Sequence, residues 1–257
     1  MVNLRVEGLE VAYGRNVVLR GVSLPELRGG EVTALLGPNA AGKSTLFRRI
    51  VGLLQGPGVV ALDGVAVAAG NAGLCYMPQD SAVNAVLTVF EAVLLARKQG
   101  GGGWAVSDAE ADAVTSALGM LEIEGLAGRH LSELSGGQRQ LVSLAQALVR
   151  EPRVLLLDEP TSALDLQRQV EVLELLRRLA RERGLCVVLA IHDLNQALRF
   201  ADRVAVLGGG RIVTHGAPVD VLTPALLREV YGVEARLERC SRGVPFLAVD
   251  RSARRAA

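Results

Sequence analysis

The chain has 257 residues, of which 50% are hydrophobic and 21% charged, with a formal net charge of +1. That length and balance support a sizeable folded core and exclude disorder as the governing theme. Near-neutral charge and only 3% aromatic residues exclude a broad basic field or a base-stacking platform for nucleic acid.

Segments 4–13 and 17–24 alternate apolar and polar residues, as half-exposed antiparallel strands do, around a turn at Gly14-Arg15-Asn16. Residues 31–36 read as a buried strand running into a glycine-rich loop, and 44 to about 54 as a helix. Further strands are expected at 59–63 and 72–77. From about Thr88 the period becomes helical, over 89–97, 107–120 and 135–150, with a flexible joint at Gly100 to Gly103. Ser107 followed by Glu110 predicts a capping box. Strand signals return at 154–158, 186–191, 203–207 and 211–215, with a helix over 166–182. Such alternation predicts a mostly parallel sheet covered on both faces, followed by a mixed tail beyond Gly216.

The opening MVNLRVEGLEVAYG contains acidic residues and lacks the basic-then-apolar pattern of a targeting signal. No apolar run approaches the roughly 18 residues of a spanning helix, so a membrane role is expected only through a partner. Cys75, Cys186 and Cys240 show no CxxC or metal-ligand spacing, which predicts reduced thiols in a cytosolic setting.

Three strings carry chemistry. Gly37-Pro38-Asn39-Ala40-Ala41-Gly42-Lys43-Ser44-Thr45 has the spacing of a phosphate loop between a strand and a helix. Its glycines let backbone N–H groups converge on phosphate oxygens. Lys43 is placed to reach the β- and γ-phosphates, and the Ser44 hydroxyl to ligate Mg²⁺. Every basic residue except Lys43 and Lys98 is arginine. The exception in the loop suits a site where a compact ammonium fits and a guanidinium fork does not.

The second string, 154–157, is an apolar strand delivering Asp158 and Glu159 to its C-terminal end, the edge at which open α/β sheets hold ligands. There Asp158 suits magnesium, and Glu159 suits orienting and deprotonating a water beside a γ-phosphate. The third, Leu134-Ser135-Gly136-Gly137-Gln138, opens a helix with a hydroxyl and bare N–H groups and makes a second anion site. A head-to-tail pair of chains explains both sites, the Ser135–Gln138 string of each copy closing the ATP of the other.

In this order the motifs resemble those of the ATP-binding-cassette (ABC) ATPases, over nearly the full chain. The resemblance implies an α/β fold with a P-loop NTPase core, an N-terminal antiparallel β subdomain and an α-helical insert. It divides the chain into a RecA-like nucleotide-binding core (1–85 and 151–215), a helical subdomain with the signature motif (86–150) and a C-terminal appendage (216–257). It also implies roles for four scattered residues. Tyr13 stacks on adenine, and Gln79 in YMPQD is the switch glutamine near magnesium and water. Asp165 contacts the dimer partner, and His192 is the switch histidine at the γ-phosphate. Many members have glycine where this loop has Ala40. Alanine resists positive φ, so a negative φ is expected there.

A single cassette without a heptad run resembles the separate ATPase subunit of an importer. Such a subunit pairs as a homodimer beneath two permease subunits at the cytoplasmic face of the membrane. A periplasmic or surface substrate-binding protein is an indirect partner, and no nucleic acid is involved. Residues 87–97, just after Gln79, are expected to receive the permease's coupling helix. DLNQAL, GAPVDVLTPALL and EVYGV are similar to segments of the importers of iron–siderophores, haem and cobalamin. Importers of zinc, manganese or another small solute, and soluble ABC ATPases acting on nucleic acid or ribosomes, are the alternatives.

Overall fold

The computed structural model describes residues 2–68, 70–79, 86–99 and 106–253. The joint expected at Gly100 to Gly103 lies outside them. Three sheets organise the described residues. β1 (Asn3–Tyr13), β2 (Asn16–Arg28), β4 (Val59–Leu62) and β5 (Val65–Ala66) form an antiparallel sheet in the order β2-β1-β4-β5. Strand β2 runs four residues beyond the alternation seen in the sequence, through Pro25, because it is an edge strand where a missing N–H breaks no ladder.

The second sheet has six strands in the order β10-β9-β3-β8-β7-β6. They are β3 (Val32–Leu36), β6 (Leu74–Met77), β7 (Val154–Asp158), β8 (Cys186–Ala190), β9 (Arg203–Gly208) and β10 (Arg211–Gly216). All pairings are parallel except that of β9 with β10. The central strands are apolar on both faces, and their period of two divides them between two cores. Val32, Ala34, Leu155, Leu157, Val187 and Leu189 face one core; Leu35, Val154, Leu156, Cys186 and Val188 face the other. The first core is filled by α2 (Val89–Lys98), α3 (Asp108–Met120), α4 (Gly136–Leu148), α5 (Leu166–Arg183) and α6 (Leu194–Phe200). The second packs α1 (Lys43–Ile50) and the antiparallel sheet.

Helix α1 stops short of the expected 54 because Gly52, at φ +79, turns the chain out of the helix. The expected capping box at α3 is present: Ser107 accepts from the Glu110 N–H, and Glu110 accepts from the Ser107 N–H. Beyond β10 the tail holds short helices and the hairpin β11 (Val233–Arg239) and β12 (Pro245–Ser252), tied to α6 by both ends of the Asn195 amide. The three cysteines are free, two buried and one exposed. No helix among the described residues is long and apolar enough to cross a membrane.

Candidate nucleotide site

Parallel pairing brings four loops to one edge of the sheet. Asp158 lies opposite Ala190 and Leu35 opposite Ala190 across β8, so β3, β7 and β8 end level. The phosphate loop leaves β3, Glu159 leaves β7, His192 follows β8 and Gln79 follows β6. Asn39 to Thr45, Gln79, Glu159 and His192 line one cavity of about 600 Å³.

The loop's shape follows from its residues. A Cβ on Gly37 would stand 2.2 Å from the Leu207 carbonyl oxygen, so only glycine fits between β3 and β9. Lys43 is buried, and its Nζ donates to the carbonyls of Gly37 (2.8 Å) and Pro38 (3.2 Å). Burial lowers its pKa, opposed by the charges of Glu159 and Asp158.

Ala40 corrects the sequence expectation: its φ is +61, not negative. The reason is the turn it sits in. The Ala41 N–H bonds back to the Pro38 carbonyl at 3.2 Å, with only the third residue of the turn at positive φ, the sign pattern of a type II turn. The loop geometry imposes the conformation, and alanine tolerates it under strain.

The Glu159 carboxylate is held from two sides. Gln79 Nε2 donates to one oxygen at 2.9 Å, and His192 Nε2 pairs with the other. Asp158 is 2% exposed, and its carboxylate accepts a hydrogen bond of 3.2 Å from the Tyr76 hydroxyl. Burial, with the Asp158 charge, pushes the Tyr76 phenol up to about 12, so it stays a donor. The hard oxygen donors of Ser44, Gln79 and Asp158 fit Mg²⁺, which is bound through few protein ligands plus phosphate.

The remaining candidates lie apart from this cavity. Tyr13 is exposed, at the hairpin that also brings Asn16 to the cavity wall. Ser135 and Gln138 form a capping box at α4, with bonds of 3.2 and 3.0 Å. Gly137 is required where it stands, since a Cβ would lie 2.9 Å from the Ala163 carbonyl oxygen. Asp165 caps α5 through the Arg168 N–H at 2.9 Å, beside Leu166, which is 75% exposed. Sequence reasoning missed Tyr76 and Gln140. The signal for Gln140 was a glutamine on the apolar stripe of α4 shared with Leu141, Leu144 and Leu148; it is 7% exposed.

The family model described as "ABC transporter" matches residues 19–162, spanning the phosphate loop, the Ser135–Gln138 string and Glu159. The chain belongs to the ABC transporter family. The hemin import ATP-binding protein HmuV of Streptomyces coelicolor is 44% identical over 230 residues, covering 87% of this chain and 81% of that protein. The iron(3+)-hydroxamate import ATP-binding protein FhuC of Bacillus subtilis is 35% identical over 246 residues, covering 92% and 90%. A bacterial ABC transporter cassette solved as a dimer superposes with a TM-score of 0.76 at 28% identity, covering 84% of this chain and 98% of that one. As an ABC ATPase subunit the chain binds ATP and hydrolyses it, and the expected α/β fold with its antiparallel N-terminal sheet is borne out.

Proposed function

We propose that this ABC ATPase energises uptake of an iron chelate, haem or corrinoid, working as a homodimer beneath two permease subunits at the cytoplasmic face of the membrane. A substrate-binding protein outside the membrane is the indirect partner. The observation that carries the cargo class is likeness to the haem and hydroxamate import proteins over 87% and 92% of the chain. That likeness favours an importer over a soluble ATPase acting on nucleic acid. In this reading 1–85 and 151–215 are the nucleotide-binding core, 86–150 the helical subdomain whose start receives the permease, and 216–257 the appendage.

Within the site, Lys43 and backbone N–H groups of residues 39–45 hold the phosphates. Ser44, Gln79 and Asp158 would hold Mg²⁺, which neutralises phosphate charge when bound. Glu159 orients water and accepts its proton, while Gln79 and His192 fix the carboxylate and sense the γ-phosphate. Tyr13 stacks on adenine. Ser135 to Gln138 and Asp165 face the nucleotide of the second copy. Their caps leave this open: the Ser135 oxygen uses a lone pair to cap, so its O–H still donates, and Asp165 caps through one carboxylate oxygen only.

Tagged Glu159→Gln chain is the test. It should bind ATP, lose turnover by about a hundredfold or more, double in mass by light scattering with ATP, and co-purify a polytopic permease from solubilised membranes. ATPase activity of the wild-type complex should rise with a binding protein loaded with ferric siderophore, haem or corrinoid. Co-purification of ribosomes instead, or stimulation by zinc- or manganese-loaded protein alone, overturns the proposal.

A further inference from the structure

Glu159 bears a side chain yet sits at φ +52, a backbone region that any Cβ disfavours and that neighbours must hold. Its N–H donates to the Ala190 carbonyl at 2.9 Å. Its own carbonyl oxygen accepts from Gln140 Nε2 at 2.7 Å, from the Ser162 hydroxyl at 3.1 Å and from the Ser162 N–H at 3.2 Å. Gln140 stands on α4, five residues after Ser135, and is nearly fully buried. Its Oε1 accepts from the Ala163 N–H at 2.9 Å, so both ends of one amide grip the same turn. The amide has only one orientation, because the Glu159 carbonyl can only accept and the Ala163 N–H can only donate.

The far side of the turn is gripped as well. Gln169 Nε2 of α5 donates to the carbonyls of Thr161 (3.2 Å) and Leu164 (3.0 Å). Gln196 Nε2 of α6 donates to Gln169 Oε1 at 2.7 Å, and α6 begins two residues after His192. The side chain of Glu159 is held by Gln79 and His192, and its backbone independently by Gln140.

We propose that Gln140 is a positioning residue for ATP hydrolysis. Its amide locks the turn carrying Glu159 to the helix that opens with Ser135-Gly136-Gly137. A shift of that helix on meeting the other copy's nucleotide is thereby transmitted to the carboxylate in the same chain. This rests on the reading of Glu159 as the group that accepts the water's proton.

Gln140→Glu keeps the shape and still accepts from Ala163, but presents an oxygen to the Glu159 carbonyl in place of a donor. Its kcat should fall about tenfold or more while KM and ATP affinity stay near wild type; the thermal midpoint also falls, because a buried oxygen then faces the carbonyl unpaired. Ser162→Ala removes the other side-chain donor to that carbonyl and should give a smaller fall in kcat alone; it carries the test if Gln140→Glu does not fold. Wild-type kcat in both variants overturns the proposal, as does a fall in kcat matched by loss of ATP affinity. Glu159→Gln is assayed in parallel: if it turns over ATP, the reading of Glu159 fails and this proposal with it. If it is inactive while Gln140→Glu is fully active, only the role of Gln140 fails.

Discussion

At the scale of single residues, the site's chemistry is carried by local strings and its geometry by distant partners. Ala40 shows the second point. It adopts φ +61 within a tight turn, a position glycine takes without strain. Glycine also has more freedom to lose on folding, so relief of strain is only partly offset. Ala40→Gly should therefore raise stability by about 1 kcal/mol and leave ATP affinity within about twofold. Thermal melts with and without nucleotide check this, and a variant less stable than wild type would show that alanine is unstrained there. Gly37 to Thr45 and Asp158-Glu159 were legible because each is contiguous in sequence. The backbone of Ala40, the Tyr76–Asp158 bond spanning 82 positions and the grip of Gln140 on Glu159 were not. Each depends on which loops the folded sheet brings side by side, and a local pattern carries no record of that.

At the scale of elements, three α-helices among the described residues begin with the same device. Thr88–Glu91, Ser107–Glu110 and Ser135–Gln138 each close a reciprocal capping box. This satisfies orphan N–H groups at helix starts, where short helices are otherwise marginal. The box at Ser107 was readable from S-x-x-E alone, because its partners are three residues apart. The end of α1 and the extension of β2 through Pro25 were less so, since one depends on the φ of Gly52 and the other on having no neighbour along one edge. Ser107→Ala should cost about 1 kcal/mol. The effect has a pH signature. The Ser107 N–H, the Lys98 ammonium and the Ser107 hydroxyl hold the Glu110 carboxyl down at about 2, against an ordinary 4.5. A lowered folded-state value stabilises fully above pH 4.5 and fades as pH falls toward 2. The gap in thermal midpoint between wild type and Ser107→Ala should thus narrow below pH 4.5. A gap constant from neutral to acid pH would mean that the charged box is not what α3 loses.

At the scale of the whole molecule, the proposed pairing makes one chain the supplier of only part of a closed site. Its cavity is walled by the phosphate loop, Gln79, Glu159 and His192, whereas Ser135, Gly136, Gly137 and Asp165 do not line it. Those four are nonetheless well formed: Gly137 fits against Ala163, Asp165 caps α5, and Leu166 beside it presents a large apolar side chain to solvent. In the proposed reading this surface, left outside the chain's own cavity, meets a second copy placed head to tail. Two consequences follow from mass action and linkage. Specific ATPase activity of the isolated chain should rise with protein concentration, because the competent species is a pair. The Hill coefficient for ATP should also exceed 1 and approach 2, the number of sites a pair encloses. Ser135→Arg should abolish the concentration dependence together with the activity while leaving ATP binding to the monomer intact, since Ser135 is outside the chain's own cavity. Constant specific activity on dilution with a Hill coefficient of 1 would place the whole reaction within one chain, and residues 135–138 would then be a helix cap and nothing more.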